Sequence, residues 1–262
     1  MKGENTRTYA LITGASGGIG FELSKVMASN NHNLILVARS VEKLDALRKE
    51  LTDVFNVDVI CFSADLAKED ERIKLIGTIR EQQLHINVLV NNAGFGDAGY
   101  FAEADWEKNE RMIQLNITAL THLTREFLPD LINSGRGRIL NVASVAGYMP
   151  GPLMAVYYAS KSFVVSFSYA LHHELKNTSV TVTTLSPGPV ETNFFKAAGA
   201  QDAAVNKIMK PSTALSVAKF GYKRMMKGRK RAIQGWKYNL MLLGVRLVPS
   251  EITSAILGRL HK

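Results

Sequence analysis

Tyr157, Lys161 and Ser144 are the residues of this 262-residue chain whose types and spacing suit acid–base chemistry on an oxygen atom. Tyr157 and Lys161 stand four apart, so on a helix their side chains share one face, one turn apart. A free phenol titrates near about 10, too high for efficient proton transfer at neutral pH. An ammonium one turn away favours the phenolate and draws the group toward the working range. Ser144 lies 13 residues earlier, at the end of an apolar run, where its hydroxyl can donate to a substrate oxygen and stabilise developing charge. Tyr158 competes by adjacency, but Ser162 rather than a lysine stands four residues on. On a helix Tyr158 also faces about 100° away, so we read it as packing or pocket wall. A tyrosine and a lysine at this spacing are commonplace, and the surrounding elements decide whether the pair does chemistry.

Apolar, β-branched runs recur at 9–12, 34–37, 57–62, 88–90, 139–142 and 180–185 and read as buried strands. Helical periodicity fills the gaps, at 19–29, 41–54, 69–82, a long stretch at 106–133, and 155–176. This alternation implies parallel strands joined by right-handed crossovers, with helices on both sheet faces. No linker, low-complexity segment or repeat interrupts the order, so residues 1–262 read as one doubly wound α/β domain. Ser144 then sits at the C-terminal end of a strand, the usual ligand crevice of an open parallel sheet. The alternation breaks at 192–211, an Ala/Gly-rich polar stretch that suits a mobile substrate loop or short helices over a site. Residues 219–262 form a basic and apolar C-terminal extension.

The first strand runs straight into Thr13-Gly-Ala-Ser-Gly-Gly-Ile-Gly20 and then a helix, which is where the phosphate-binding turn of a Rossmann fold sits. Gly14 permits a tight turn, Gly18 lets the backbone approach a diphosphate, and Gly20 lets helix pack on strand. Ser16 and Ile19 lie between them, with the helix N-terminal amides facing the anion. At the end of the second strand an acid would bind both ribose hydroxyls of NAD and repel a 2′-phosphate. This chain has Ala38-Arg39 there instead. A guanidinium pairs bidentately with a phosphate and stacks on adenine, so Arg39 favours NADP(H), with Ser40 as a second donor. A solvated strand-end arginine is the competing reading.

The glycine spacing at 14, 18 and 20 resembles the T-G-x-x-x-G-x-G of the short-chain dehydrogenase/reductase (SDR) family. Asn91-Asn-Ala-Gly94 after the fourth strand, Ser144 after the fifth, Tyr157-Tyr-Ala-Ser-Lys161 opening the next helix and Pro187-Gly188 after the sixth strand follow in that family's order. The resemblance covers about residues 8–192. It implies an NADP(H)-dependent oxidoreductase that interconverts a carbonyl and an alcohol, in which hydride from NADPH reaches the carbonyl carbon while Tyr157 protonates the oxygen. It also implies that Asp65 and Leu66 hold the adenine, that Asn92, Ala93 and Gly94 line the adenosine ribose, and that Lys161 holds ribose hydroxyls. Pro187, Gly188, Val190 and Thr192 would lie at the nicotinamide end, the last two on its carboxamide. Asn116 resembles the family's fourth catalytic residue, whose main chain holds a water linking the lysine to solvent. Asn116-Ile-Thr118 also reads as a glycosylation acceptor, a reading that fails in a cytosolic protein. Homodimers or homotetramers are usual in such families. Two alternatives stay open: an NADP(H)-sensing regulatory binding protein of the same fold, and an epimerase or dehydratase that returns the hydride to its substrate.

Cys61 is the one cysteine, so no intramolecular disulfide or cysteine-based zinc site forms, and it reads as a buried, unreactive thiol in a reducing compartment. Residues 1–7 are polar and charged rather than signal-like, and the apolar runs are too short to span a bilayer; a cytoplasmic protein is expected. The net charge of +9 arises in 219–262, which hold 11 Lys/Arg and one acid. Such a segment suits peripheral contact with an anionic membrane. Competing readings are a solvated helix face, a final strand near 231–234 followed by core or oligomer contacts, and a cationic rim that attracts an anionic substrate. No nucleic-acid recognition motif accompanies the charge, and no such partner is expected. Phe95, Gly96, Tyr148, Met149, Pro150, Met154, Phe194 and Phe195 are candidate pocket walls. Their apolar character suits a hydrophobic carbonyl such as a ketoacyl chain, a steroid-like ketone or an aromatic ketone, although each also reads as packing.

Overall fold

A computed structural model describes residues 7–200 and 211–260 of the chain. The apolar runs form β1 (Thr8–Thr13), β2 (Asn33–Ala38), β3 (Val59–Ser63), β4 (His85–Asn91), β5 (Arg138–Val142) and β6 (Thr181–Leu185). Three two-residue strands follow, β7 (Val190–Glu191), β8 (Ser212–Thr213) and β9 (Arg231–Ala232). β7 pairs with β8 alone, and the others make a seven-stranded parallel sheet in the order β3-β2-β1-β4-β5-β6-β9. Alternate side chains serve two cores: Ala10, Ile12, Leu34 and Leu36 face one, Leu11, Ile35, Val37 and Leu89 the other. Burial on both faces is why β1, β2 and β4 read as apolar runs, whereas β3 is only partly buried and β6 is rich in buried threonine. Helices α1 (Gly18–Ala28), α2 (Val41–Phe55) and α8 (Ala214–Met226) cover the first face through Leu23, Leu47 and Val217. On the second face lie α3 (Glu69–Glu81), α5 (Leu120–Asn133) and α6 (Ala155–Glu174), packed through Ile76, Phe127 and Leu171. The chain leaves β1 outward in both directions, to β2 on one side and β4 on the other. This reversal opens a crevice at the carboxyl ends of those strands.

A buried hydrogen-bond chain ties the helices of the second face to the sheet. Asn91 Nδ2 donates to Thr124 Oγ1 and to Asn141 Oδ1, both at 2.9 Å, and Asn141 Nδ2 donates to Ser168 Oγ at 2.9 Å. These bonds tie α5 and α6 to β4 and β5, although the Asn91 Oδ1 itself is buried without a hydrogen-bond partner.

Three expectations are corrected. The stretch 106–133 is not one regular helix: α4 (Trp106–Ile113) passes into a π turn (Gln114–Ala119) before α5 begins. Such wide turns insert a residue into a helix and recur at functional sites. Cys61 is half-buried, not buried; its thiol donates to the Leu44 carbonyl at 3.6 Å, and burial pushes its pKa up to about 11, which keeps it protonated. The final strand near 231–234 is real but only two residues long, and α9 (Trp236–Leu247) and α10 (Ser250–Leu260) follow it. The expected substrate loop carries α7 (Phe194–Ala197), while its residues 201–210 lie outside the described residues, as do 1–6 and the last two positions of the basic tail.

Candidate active site

The crevice is a cleft of about 960 Å³ that runs from the Gly14 turn to Tyr157 and α7. At its first end Gly14 and Gly18 have φ of +67° and +55°, the left-handed region that glycine adopts at no steric cost. Space is equally restrictive: a Cβ on Gly14 would meet Ala93 Cα at 2.9 Å, and one on Gly20 would meet the Gly14 carbonyl oxygen at 2.3 Å. Gly20 stands outside the cleft and acts in packing, as expected; Gly14, Ser16, Gly18 and Ile19 line it. Thr13, which the sequence reading passed over, holds the turn against the next strand end. Its hydroxyl donates to Val90 O at 3.2 Å and accepts from the amides of Asn92 and Ala93 at 2.9 and 3.0 Å. Asn92 Nδ2 in turn donates to the carbonyls of Thr13 and Gly14, at 2.9 and 3.2 Å. The crevice is thus a preformed cradle of bare backbone at a helix start, which fits the diphosphate of a dinucleotide.

Arg39 lines the cleft and is exposed. Ser40 does not line it: its hydroxyl caps α2 by accepting from the Lys43 amide and donates to Glu42 Oε2 at 2.9 Å. Lys43 stands in the cleft instead, one turn after Arg39, a cation visible in the sequence as Arg-x-x-x-Lys but not assigned. Asp65 and Leu66, after the neighbouring strand β3, line the cleft as well. The Asp65 carboxylate accepts from the Ala67 amide at 3.1 Å and from Arg111 Nη2 at 2.8 Å, so it already braces the loop after β3. Arg111 and Lys108, also missed, extend from α4 into the same cleft, and Lys108 pairs with Asp97. Asn92, Ala93, Gly94, Pro187, Gly188, Val190 and Thr192 all line the cleft.

At the other end Tyr157, Ser144 and Lys161 converge. Ser144 follows β5 and caps a short 3₁₀ turn by accepting from the Ala146 amide at 3.1 Å. Tyr157, one turn into α6, is 8% exposed and hydrogen-bonds Ser144. Lys161 is buried, donates to the Val142 carbonyl at 2.9 Å and sits 5.9 Å from the centre of the Tyr157 ring. The expectation of a lowered phenol is corrected here. Burial is the larger influence and pushes Tyr157 up to about 12, with the Ser144 hydrogen bond opposing it; burial also draws Lys161 down to about 8. Asn116 lies behind the cleft on the π turn, where it accepts from the Phe95 amide at 3.2 Å and donates to the Phe95 carbonyl and to Ser160 Oγ, at 2.9 and 3.0 Å. Its side chain therefore braces segment 94–95 against α6.

Lys161 makes stability depend on pH with a definite sign. Between pH 8 and its unfolded pKa of about 10.4 the unfolded chain binds more protons, so stability rises as pH rises through that window. Tyr157 acts oppositely, but only above pH 10, where the unfolded phenol ionises and the buried one does not. From pH 7.5 to 9.5 the melting temperature of the wild type should rise relative to that of Lys161→Met, by on the order of 5 °C. Parallel profiles by calorimetry would contradict it.

Phe95, Met154, Phe194 and Phe195 form the apolar wall, with Tyr158 beside them; Gly96, Tyr148, Met149 and Pro150 do not line it. Tyr148 turns away, with its hydroxyl 3.1 Å from that of Tyr169 and Arg231 over its ring. Gly96 serves by being small, since a Cβ there would meet the Phe194 ring at 2.8 Å. Position along the chain could not separate wall from backing, because both classes are apolar.

A doubly wound sheet with a glycine cradle at its switch point and a buried tyrosine, serine and lysine across the cleft defines a dinucleotide-dependent oxidoreductase fold. The short chain dehydrogenase family matches residues 8–203, and the chain belongs to that family, whose members use a nicotinamide cofactor. Over 200 residues, 74% of the chain, it is 36% identical to the very-long-chain 3-oxoacyl-CoA reductase of Anas platyrhynchos, of which the match spans 63%. It superposes on a short-chain dehydrogenase from Sphingobium yanoikuyae in complex with NADPH with a TM-score of 0.81, at 32% identity, covering 92% of this chain and 94% of that one. A short-chain dehydrogenase/reductase from Burkholderia phymatum in complex with NAD gives 0.79 at 25% identity, covering 94% of each.

Proposed function

We propose that this protein reduces a hydrophobic ketone, or oxidises the matching alcohol, with NADP(H). The observation that carries the reading is the buried Tyr157, hydrogen-bonded to Ser144 and one turn from Lys161, facing an apolar wall across a dinucleotide-sized cleft. When bound, nicotinamide adenine dinucleotide phosphate would supply a hydride to the carbonyl carbon or take one from the alcohol. Gly14, Ser16, Gly18 and Ile19 hold its diphosphate, and Arg39, with Lys43, holds its 2′-phosphate. Asp65, Leu66, Asn92, Ala93 and Gly94 flank its adenosine half, and Pro187, Gly188, Val190 and Thr192 its nicotinamide half.

Tyr157 Oη gives its proton to the substrate oxygen as charge develops there, and Ser144 Oγ donates a hydrogen bond to the same oxygen. A phenol as high as about 12 is a reluctant base but holds its proton at neutral pH, the form that reduction requires. Lys161 stabilises the phenolate left behind, and its depressed ammonium readily passes a proton on. Asn116 acts through others, by holding the Gly94–Phe95 segment and Ser160. Phe95, Met154, Phe194 and Phe195 exclude water and select an apolar carbonyl.

The test is NADPH absorbance against a panel of alkyl, aromatic, steroid-like and 3-ketoacyl ketones, repeated with NADH. Net consumption with NADPH on apolar ketones is expected. Saturable cofactor binding without consumption on any ketone or alcohol would instead indicate a cofactor-sensing protein.

A further inference from the structure

Helices α9 and α10 are apolar on two sides. Inward, Leu242 is buried, and Tyr238, Met241, Val245 and Leu257 pack on the cluster that contains Met154, Tyr157 and Tyr158. Tyr238 approaches the cleft wall so closely that a Cβ on Gly188 would meet its ring at 2.2 Å. Outward, Trp236, Leu240, Leu243 and Leu247 follow at spacings of four, three and four, a single helical stripe, and are 72%, 61%, 56% and 86% exposed. Val248, Ile252 and Ile256 continue this exposed apolar character onto α10, so that seven of the 17 large apolar side chains exposed among the described residues fall within 236–256. A surface helix ordinarily turns polar residues outward, and a concentration of this kind marks a surface that something covers.

Charge identifies what covers it. Residues 219–262 carry 11 Lys/Arg and one acid; Lys237, next to Trp236 on the same helix, is exposed, as are Arg229 and Lys230 just before β9. Two copies meeting on this face would bring two such cationic segments together, which like-charge repulsion opposes. An anionic lipid surface satisfies both features, accepting the stripe among its upper acyl chains and the cations among its headgroups. Trp236, at the end of the stripe, is of the residue type enriched at that boundary.

We propose that α9 and α10 seat this protein on the surface of a bilayer rich in anionic lipid. Among the described residues no helix is long and apolar enough to cross a membrane, so the contact is peripheral. Because the inner side of the same helices packs on the wall of the cleft, the seated protein presents its substrate end to the bilayer. If the substrate is the hydrophobic carbonyl proposed above, it enters from the lipid.

Co-sedimentation of the full chain with vesicles of phosphatidylcholine alone, or of equal parts phosphatidylcholine and phosphatidylglycerol, tests the seating without reference to turnover. At least about tenfold stronger partition onto the anionic vesicles is expected, weakening with salt. The double variant L243E/L247E should lose that partition while keeping the wild-type circular dichroism spectrum and NADPH affinity. Emission of Trp236, read in Trp106→Phe, should shift to shorter wavelength on the anionic vesicles, which reports on the stripe without altering it. Equal binding to both vesicle types, no binding, or unchanged binding by L243E/L247E would each overturn the proposal. So would light scattering in which L243E/L247E splits an oligomer of a protein that ignores vesicles, since a second copy would then cover the stripe.

Discussion

Tyr157→Phe is expected to lower kcat/KM for ketone reduction by about 10³-fold, the scale of a lost general acid. The substitution removes one oxygen and little else. The ring keeps its packing, 5.2 Å between centroids with Phe194 and 6.0 Å with Tyr158, inside the cluster that also holds Met154 and Leu242. Loss of the hydrogen bond with Ser144 leaves that hydroxyl to its remaining partner, the Ala146 amide, and costs about 1 kcal/mol of stability. NADPH affinity should stay within about tenfold of wild type, the equivalent of one hydrogen bond. Single-turnover measurement therefore separates a chemical defect from a binding defect. Tyr158→Phe is the control: Tyr158 also lines the cleft but lies on another face of α6, and its removal should leave kcat within a few-fold. Turnover by Tyr157→Phe at the wild-type rate would remove the tyrosine from the chemistry and with it the proposed mechanism.

Arg39→Asp is expected to reverse the choice of cofactor, changing the ratio of kcat/KM with NADPH to that with NADH by at least about 10²-fold. Arg39 ends β2 at the rim of the cleft, and among the described residues its guanidinium forms no ion pair that a phosphate would have to displace. A charge-assisted pair with a 2′-phosphate contributes about 1.5 to 3 kcal/mol, roughly 10- to 100-fold, and an aspartate in its place repels that phosphate while accepting from ribose hydroxyls. Because Arg39 is exposed, solvent screens part of the effect, and the swing should shrink as salt is added. Lys43→Ala should give a smaller change in the same direction, since Lys43 supplies a point charge rather than a fork of donors. A wild-type preference for NADH would refute the role given to Arg39.

The parts of this molecule legible in the sequence are those encoded over a few residues. Strands buried on both faces favour apolar, β-branched residues, so β1, β2 and β4 could be read from Tyr9, Leu34 and Val88, while the edge strand β3 and the threonine-rich β6 followed from their β-branched residues and place in the alternation. A turn that needs positive φ and bare backbone must spell glycine at 14 and 18, and a helix places positions 157 and 161 on one face. Those local rules were enough to bring Ser144, Tyr157 and Lys161 to one end of the crevice and the glycine turn to the other.

What the chain alone could not decide depends on neighbours distant in sequence. Whether Tyr148 or Tyr158 faces the cleft is settled by how α6 packs, and both are equally aromatic. Ser40 spends its hydroxyl on its own helix, while Lys43, one turn on, reaches the cleft. Asn116 sits on a π turn that no local pattern announces, and its amide bonds Phe95, 21 residues away in the chain. The largest reversal concerns Tyr157 itself. Spacing to Lys161 argues for a lowered phenol, yet the surrounding core removes water from both groups, and desolvation, a property of the whole packed site, outweighs the Ser144 hydrogen bond that favours the phenolate.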